Sequence, residues 1–124
     1  MPARVVVVRD DPIRDTIVDA LRAAGINVAG FAKPGTALDS IAADSRCEVL
    51  VTKFDFGRGI QNGISLALML KMRRRQLKVL FVGREEYRKL TEGVGEFLPV
   101  EPLDLTHIVQ TVRRMLGSGG AAAA

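Results

Sequence analysis

Charged side chains that could do chemistry follow two of the short apolar runs in this 124-residue chain. Arg9 and Asp10 come directly after four consecutive valines, and Lys53 and Asp55 come near the end of a later apolar run. Carboxylates in such places could hold Mg²⁺ and accept a phosphoryl group. A lysine ammonium can do neither, because it has hydrogen-bond donors but no oxygen ligand. The chemistry therefore depends on the elements that position these four residues.

The apolar pattern predicts five strands that alternate with five helices. The predicted strands are Val5–Val8, Ile26–Phe31, Val49–Phe54, Val79–Val82 and Phe97–Val100. The predicted helices are one with Pro12 in its first turn, Asp11 as its cap and Gly25 at its end, then Lys33–Asp44, Gly63–Arg74, Arg84–Glu92 and Leu105–Leu116. This alternation predicts an α/β fold with a parallel sheet covered by helices on both faces. Ligands in such folds bind at the carboxyl ends of the strands.

Length and composition indicate one domain over residues 1–116, followed by a flexible linker or tail over residues 117–124. The formal net charge is +4, and much of the excess lies in the cluster from Lys71 to Lys78. No aromatic residue interrupts that cluster, so nucleic-acid binding through Arg73–Arg75 is a weaker alternative. Because no apolar run approaches the length of a membrane span and no signal peptide is visible, we expect a cytoplasmic protein.

The chain resembles a bacterial response-regulator receiver domain of the CheY-like type over essentially Arg4 to Leu116. The opening VVVVRDDPIRDTIVDALRAAG is similar to the family's first strand, acid cluster and first helix, and the ending EPLDLTHIVQTVRRML is similar to its final segment. The resemblance implies a flavodoxin-like, doubly wound (βα)5 fold with strand order 2-1-3-4-5. It also implies a role in two-component signal transduction and phosphorelay. In the family, Mg²⁺ and a phosphorylated aspartate lie at the ends of the first and third strands.

The pocket residues of the family are replaced at most positions of this chain. Its two acids after the first strand fall on Arg9 and Asp10, and its phosphoaccepting aspartate falls on Lys53. The hydroxyl residue at the end of the fourth strand falls on Gly83, and the lysine before the last proline falls on Glu101. The resemblance therefore implies a degenerate receiver pocket, formed by these residues together with Asp55.

Two interpretations of the third strand's end remain open. Counted back from Gly63, the family's phosphoaccepting aspartate falls on Asp55 instead of Lys53. The difference predicts a two-residue insertion in the loop, with Lys53 at the position that the aspartate has in the family. Lys53 then pairs with Asp10, Asp55 or Glu101 and replaces the metal, or it points into solvent. Alternatively, Asp55 accepts a phosphoryl group with the help of Mg²⁺ bound by Asp10 and Asp55.

The third predicted helix carries a second apolar stripe, formed by Leu68, Met69 and Met72, on the side that a surface helix keeps polar. Either neighbouring elements cover it, or it binds a partner. The preferred hypothesis is a phosphorylation-independent pseudo-receiver. It would be a protein-docking module that is not an enzyme, needs no cofactor, and binds a protein partner or a neighbouring domain of the same signalling protein; a homodimer is possible. The alternative is an active receiver phosphorylated on Asp55 in a Mg²⁺-dependent phosphorelay.

Overall fold

A computed structural model describes residues 3–43 and 46–120 of the chain. The strands are β1 Val5–Val8, β2 Val28–Phe31, β3 Val49–Thr52, β4 Lys78–Gly83 and β5 Glu96–Pro99. The helices are α1 Ile13–Ala23, α2 Pro34–Ala43, α3 Gly63–Arg73 and α4 Leu105–Gly120, with a 3₁₀ helix, Glu85–Thr91, between β4 and β5.

The five strands form one parallel sheet in the order β2-β1-β3-β4-β5, which confirms the predicted architecture. The two central strands consist of β-branched and leucine residues that are buried along their whole length. Such continuous apolar strands are typical of a sheet with both faces covered. Val8 lies opposite Thr52, so the ends of β1 and β3 are level and bring the residues that follow them together.

Each face of the sheet has its own apolar cluster. On one face, Ile17 and Leu21 of α1 pack with Ile108 and Val112 of α4. On the other face, α2 and α3 cover the sheet with the buried side chains of Ala37, Ile41, Leu66, Ala67 and Leu70. The apolar spacing of α1, α3 and α4 agrees with the sides of these helices that face inward. In α2, by contrast, the apolar residue Ala42 is exposed.

The start of α1 and the end of β3 differ from the prediction. Pro12 occupies the N-cap position of α1, so Asp11 lies before the helix and is not its cap residue. β3 ends at Thr52 instead of Phe54. The Thr52 hydroxyl donates to the carbonyl oxygen of Lys53 (2.9 Å), and the carbonyl oxygen of Phe54 accepts from the N–H of Gly63 (2.8 Å). These two bonds commit the carbonyl groups of Lys53 and Phe54 to the loop, although the N–H of Lys53 still bonds to β1.

Other boundaries also shift. β2 begins at Val28 instead of Ile26, and the segment between β4 and β5 is a 3₁₀ helix. α4 continues to Gly120, past its predicted end at Leu116, while residues 121–124 and the predicted end of α2 at Asp44 lie outside the described residues. Within the described part, no helix is both long and apolar enough to cross a bilayer.

Candidate functional site

Lys53 forms an ion pair with Asp10 at the carboxyl ends of β3 and β1. Its ammonium nitrogen lies 2.7 Å from Asp10 Oδ1 and 3.8 Å from Asp11 Oδ2. The pairing follows from the sheet, because the N–H of Lys53 donates to the carbonyl oxygen of Val8 and so holds the two strand ends side by side (3.3 Å). Of the three partners predicted for Lys53, the structure selects Asp10.

Arg9 forms a second, more deeply buried ion pair with Asp11. Only 3% of Arg9 is exposed to solvent. Its Nε and Nη2 donate to the two carboxylate oxygens of Asp11 (3.0 and 2.9 Å), and its Nη1 donates to the carbonyl oxygen of Val82 (2.6 Å). The bidentate pair holds the guanidinium to Asp11, and the bond to Val82 joins the end of β1 to β4.

The role of Asp11 could not be recognised from its position alone, because an acid before a helix is an ordinary cap residue. The available signal was Arg9, a cation directly after four buried valines that needs a carboxylate nearby. Partial burial is the largest single influence on the pKa of Asp11, and it acts to raise that pKa. Hydrogen bonds from Arg9 and from the backbone of Ile13, and the charges of Arg9 and Lys53, act in the opposite direction. Together these lowering influences hold the pKa of Asp11 below its ordinary value.

Asp55 lies apart from this group of ion pairs. Because β3 ends at Thr52, Asp55 stands in the loop that follows the strand. It is exposed, and its Oδ1 accepts a hydrogen bond from the N–H of Gly57 (2.9 Å). Between the two residues, Phe54 turns to stack on Tyr87, with ring centroids 4.4 Å apart.

Gly83 and Glu101 lie on the far side of the site. The carbonyl oxygen of Gly83 accepts a hydrogen bond from the N–H of Val100 (2.9 Å), which carries the β4–β5 pairing past the last strand residue. Glu101 is exposed, stands before a cis proline, and borders a cleft with Arg84 instead of Lys53. The predicted opposition of Lys53 and Glu101 is therefore not formed.

A cavity of about 220 Å³ lies over these strand ends. Its walls are formed by Arg9, Asp11, Ile13, Lys53, Phe54, Asp55, Gly83, Arg84, Tyr87 and Val100. The sheet thus brings most of the predicted pocket residues to one place, although Asp10 and Glu101 are not part of its wall. Both members of the Arg9–Asp11 ion pair belong to its wall.

The residues at this site do not fit a Mg²⁺ ion. Mg²⁺ requires several oxygen ligands in near-octahedral geometry. The carboxylates of Asp10 and Asp11 face the Lys53 ammonium and the Arg9 guanidinium instead. In residues 3–43 and 46–120, no three histidine, cysteine or acidic side chains are grouped so that they could hold a metal ion.

The apolar stripe on α3 is exposed. Met72 is 84% accessible to solvent, Leu68 48% and Met69 41%. No described element covers these side chains, so the alternative that neighbouring elements bury them is wrong. The opposite side of α3 is buried as predicted.

No protein-family model matches this sequence, and no curated protein matches it. Solved structures do match the fold. The chemotaxis protein CheY4 of Vibrio cholerae is 20% identical, with a TM-score of 0.78 over 93% of this chain and 99% of that chain. A response regulator receiver domain from Clostridium thermocellum is 16% identical, with a TM-score of 0.83 over 97% and 98% of the two chains. The receiver domain of NtrX from Brucella abortus is 18% identical, with a TM-score of 0.80 over 90% and 97%. At these identities the likeness shows that the chain has the fold of response-regulator receiver domains.

Proposed function

We propose that this receiver-fold chain is a pseudo-receiver, a protein-docking module of two-component-type signalling that works without phosphorylation. The observation that carries the proposal is the pairing of both acids after β1 with side-chain cations, Asp10 with Lys53 and Asp11 with Arg9. The charge that a metal would supply is already supplied by the protein.

Loading this site with Mg²⁺ would require the loss of existing bonds. A metal bound by Asp11 would compete with the two hydrogen bonds from Arg9. The released guanidinium would stay almost fully buried without a carboxylate, and removing one partner of a buried pair costs about 3–5 kcal/mol. A metal bound by Asp10 would also stand next to the Lys53 ammonium, which repels it. Both effects disfavour metal binding.

The remaining candidate is phosphorylation of Asp55, which is exposed and lines the same cavity. Phosphoryl transfer depends on cations that neutralise the transferred group. Lys53 is held by Asp10, and no described side chain forms an ion pair with Asp55. These features favour a docking role over phosphotransfer.

The test is incubation with acetyl phosphate and Mg²⁺, followed by intact-mass spectrometry. We expect no stable gain of a phosphoryl group. A mass gain that disappears in the Asp55→Asn variant would overturn the proposal in favour of an active receiver.

A Mg²⁺ titration followed by NMR gives a second measurement. The expected result is no saturable shift at the backbone amides of Asp10, Asp11 and Asp55. Saturable shifts there at millimolar Mg²⁺ would contradict the metal-free site.

A further inference from the structure

The outward side of α3 presents apolar and basic side chains next to each other. Leu68 and Met72 are four residues apart and form one ridge along the helix, with Met69 beside it. Arg73, the last residue of the helix, and Arg75, in the turn that follows it, are exposed. We refer to these five residues as the α3 outer surface.

The cations near the end of α3 divide into two kinds. The Arg74 guanidinium donates to the carbonyl oxygens of Ile41 (2.6 Å) and Cys47 (3.2 Å), and the Lys71 ammonium donates to that of Val94. These two cations fasten α3 to neighbouring segments. The side chains of Arg73 and Arg75, by contrast, form no hydrogen bond or ion pair within the described residues.

We propose that the α3 outer surface binds an acidic, amphipathic helix of a partner protein, an inference that rests on the proposed docking function. The apolar ridge supplies the contact area, and the two arginines supply charge complementarity with acidic side chains. Exposed methionines suit such a contact because their flexible side chains adapt to the partner's shape.

The spacing of the ridge favours a helical partner. Side chains four residues apart form the ridges that fit into the grooves of a second helix. Acidic residues stabilise the first turn of a helix, where they complement its dipole. A partner helix antiparallel to α3 brings such an acidic first turn to Arg73 and Arg75, so the same carboxylates stabilise the helix and bind the arginines.

Other classes of partner fit this surface less well. Nucleic acid would leave the apolar ridge against a polar backbone, and the α3 outer surface has no aromatic side chain for base stacking. Proteins that lie on a membrane usually insert tryptophan, phenylalanine or several leucines, whereas the α3 outer surface has one leucine and two methionines.

The test uses three designed peptides of about four helical turns and ¹⁵N-labelled protein. The first peptide has leucines along one side and glutamates in its first turn. The second has lysines in place of the glutamates, and the third has the glutamates moved to its last turn. We expect the first peptide to shift the backbone amides of residues 68–75 saturably and to bind at least about tenfold more tightly than the other two.

Charge-exchange variants make the test specific. The double variant Arg73→Glu with Arg75→Glu reverses both charges, and residue 75 lies outside the helix. It should weaken binding of the acidic peptide about tenfold and strengthen binding of the lysine peptide. Met72→Ser should weaken the binding of both peptides. Arg22→Glu, at the end of α1 on the other face of the sheet, is the matched control and should change neither.

Equal binding of the acidic and lysine peptides, or shifts confined to other elements, would overturn the inference. So would duplex DNA or vesicles of anionic lipid that compete for the same amides more strongly than the acidic peptide. None of these results bears on phosphorylation, which the mass measurement tests separately, so a failure of this inference can be told from a failure of the proposed function.

Discussion

At the ends of β1 and β3, two neighbouring carboxylates are each matched by a cation from the protein itself. The pairs differ in depth, because the side chain of Arg9 is almost fully buried whereas those of Lys53 and Asp10 are partly exposed. Solvent weakens the Lys53–Asp10 attraction. The bidentate Arg9–Asp11 pair is more buried and less screened, so the removal of one of its partners should cost more stability. We therefore expect Lys53 to affect what binds at the site and Arg9 to hold the shape of the site.

Changing Lys53 to an acid should create a response to Mg²⁺. Lys53→Asp removes the cation and adds oxygen ligands next to Asp10. Without metal, the like charges lower the melting temperature. With Mg²⁺ at tenfold above its dissociation constant, binding should restore about 1.4 kcal/mol. Thermal unfolding with and without MgCl₂ measures both effects.

The neutral variant Lys53→Met is the control for this change, since it removes the cation without adding oxygens. We expect the unsubstituted protein to show no Mg²⁺-dependent shift in melting temperature. If Lys53→Met responds to Mg²⁺ as strongly as Lys53→Asp, the added carboxylate is not the cause, and this account of Lys53 is wrong.

The lowered pKa of Asp11 predicts a dependence of stability on acid. A carboxyl group whose pKa is lower in the folded than in the unfolded state stabilises the fold at pH values above its ordinary pKa, about 3.9. That contribution disappears as the pH falls through the lowered value. Urea unfolding at pH 7 and at successively lower pH should show a smaller loss of stability in Asp11→Asn than in the unsubstituted protein. Asp19→Asn, at an exposed position of α1, is the comparison, and equal losses in all three proteins would argue against this role for Asp11.

At the scale of elements, the approach of α3 to the end of β3 positions Lys53. Gly63 begins α3, and a Cβ atom there would lie 2.1 Å from the carbonyl oxygen of Lys53. Its N–H also donates to the carbonyl oxygen of Phe54. At the same end of α3, the Asn62 side chain caps the helix by accepting from the N–H of Ser65 (2.8 Å). The loop is therefore held by the helix start that follows it.

Gly63→Ala should displace either the start of α3 or the backbone at Lys53. The clash is with backbone, which cannot rotate away, so we expect a loss of about 1–3 kcal/mol. Gly35→Ala in α2 is the matched control, because a Cβ there meets nothing within 4 Å. It should be neutral or stabilise the protein by up to about 1 kcal/mol. Chemical denaturation measures the free energy of unfolding of both variants. Equal changes would show that the close approach of Gly63 to Lys53 does not affect stability.

At the scale of the whole molecule, one sheet separates two apolar clusters and joins them through shared strands. β1 and β3 contribute side chains to both clusters, because alternate residues of a strand point to opposite faces. Loss of packing on one face therefore weakens the strands that support the other face. The site at the strand ends depends on both clusters.

Core truncations on the two faces should unfold the protein as one unit. Leu21→Ala and Leu70→Ala each remove a buried side chain from a different cluster, and each should cost about 2–5 kcal/mol. The chain has one tyrosine and no tryptophan, so Tyr87 fluorescence reports the site while far-UV circular dichroism reports the whole fold. Coincident transitions in both variants are expected. Separate midpoints for the two signals would contradict the coupling.

The amino-acid sequence by itself determined the order of the elements, the parallel sheet and the inward side of α3, because apolar periodicity depends on neighbours along the chain. It also placed Lys53 and the residues after β1 at the same edge of the sheet. Only the tertiary structure decided that Lys53 pairs with Asp10 and that Asp11 pairs with Arg9. It also decided that Asp55 and Glu101 take no part in these ion pairs. The Lys53–Asp10 pair depends on where β3 ends and on a contact between residues far apart in sequence. Arg9 and Asp11 are close in sequence, but the position of the Arg9 guanidinium depends on its contact with Val82 of β4.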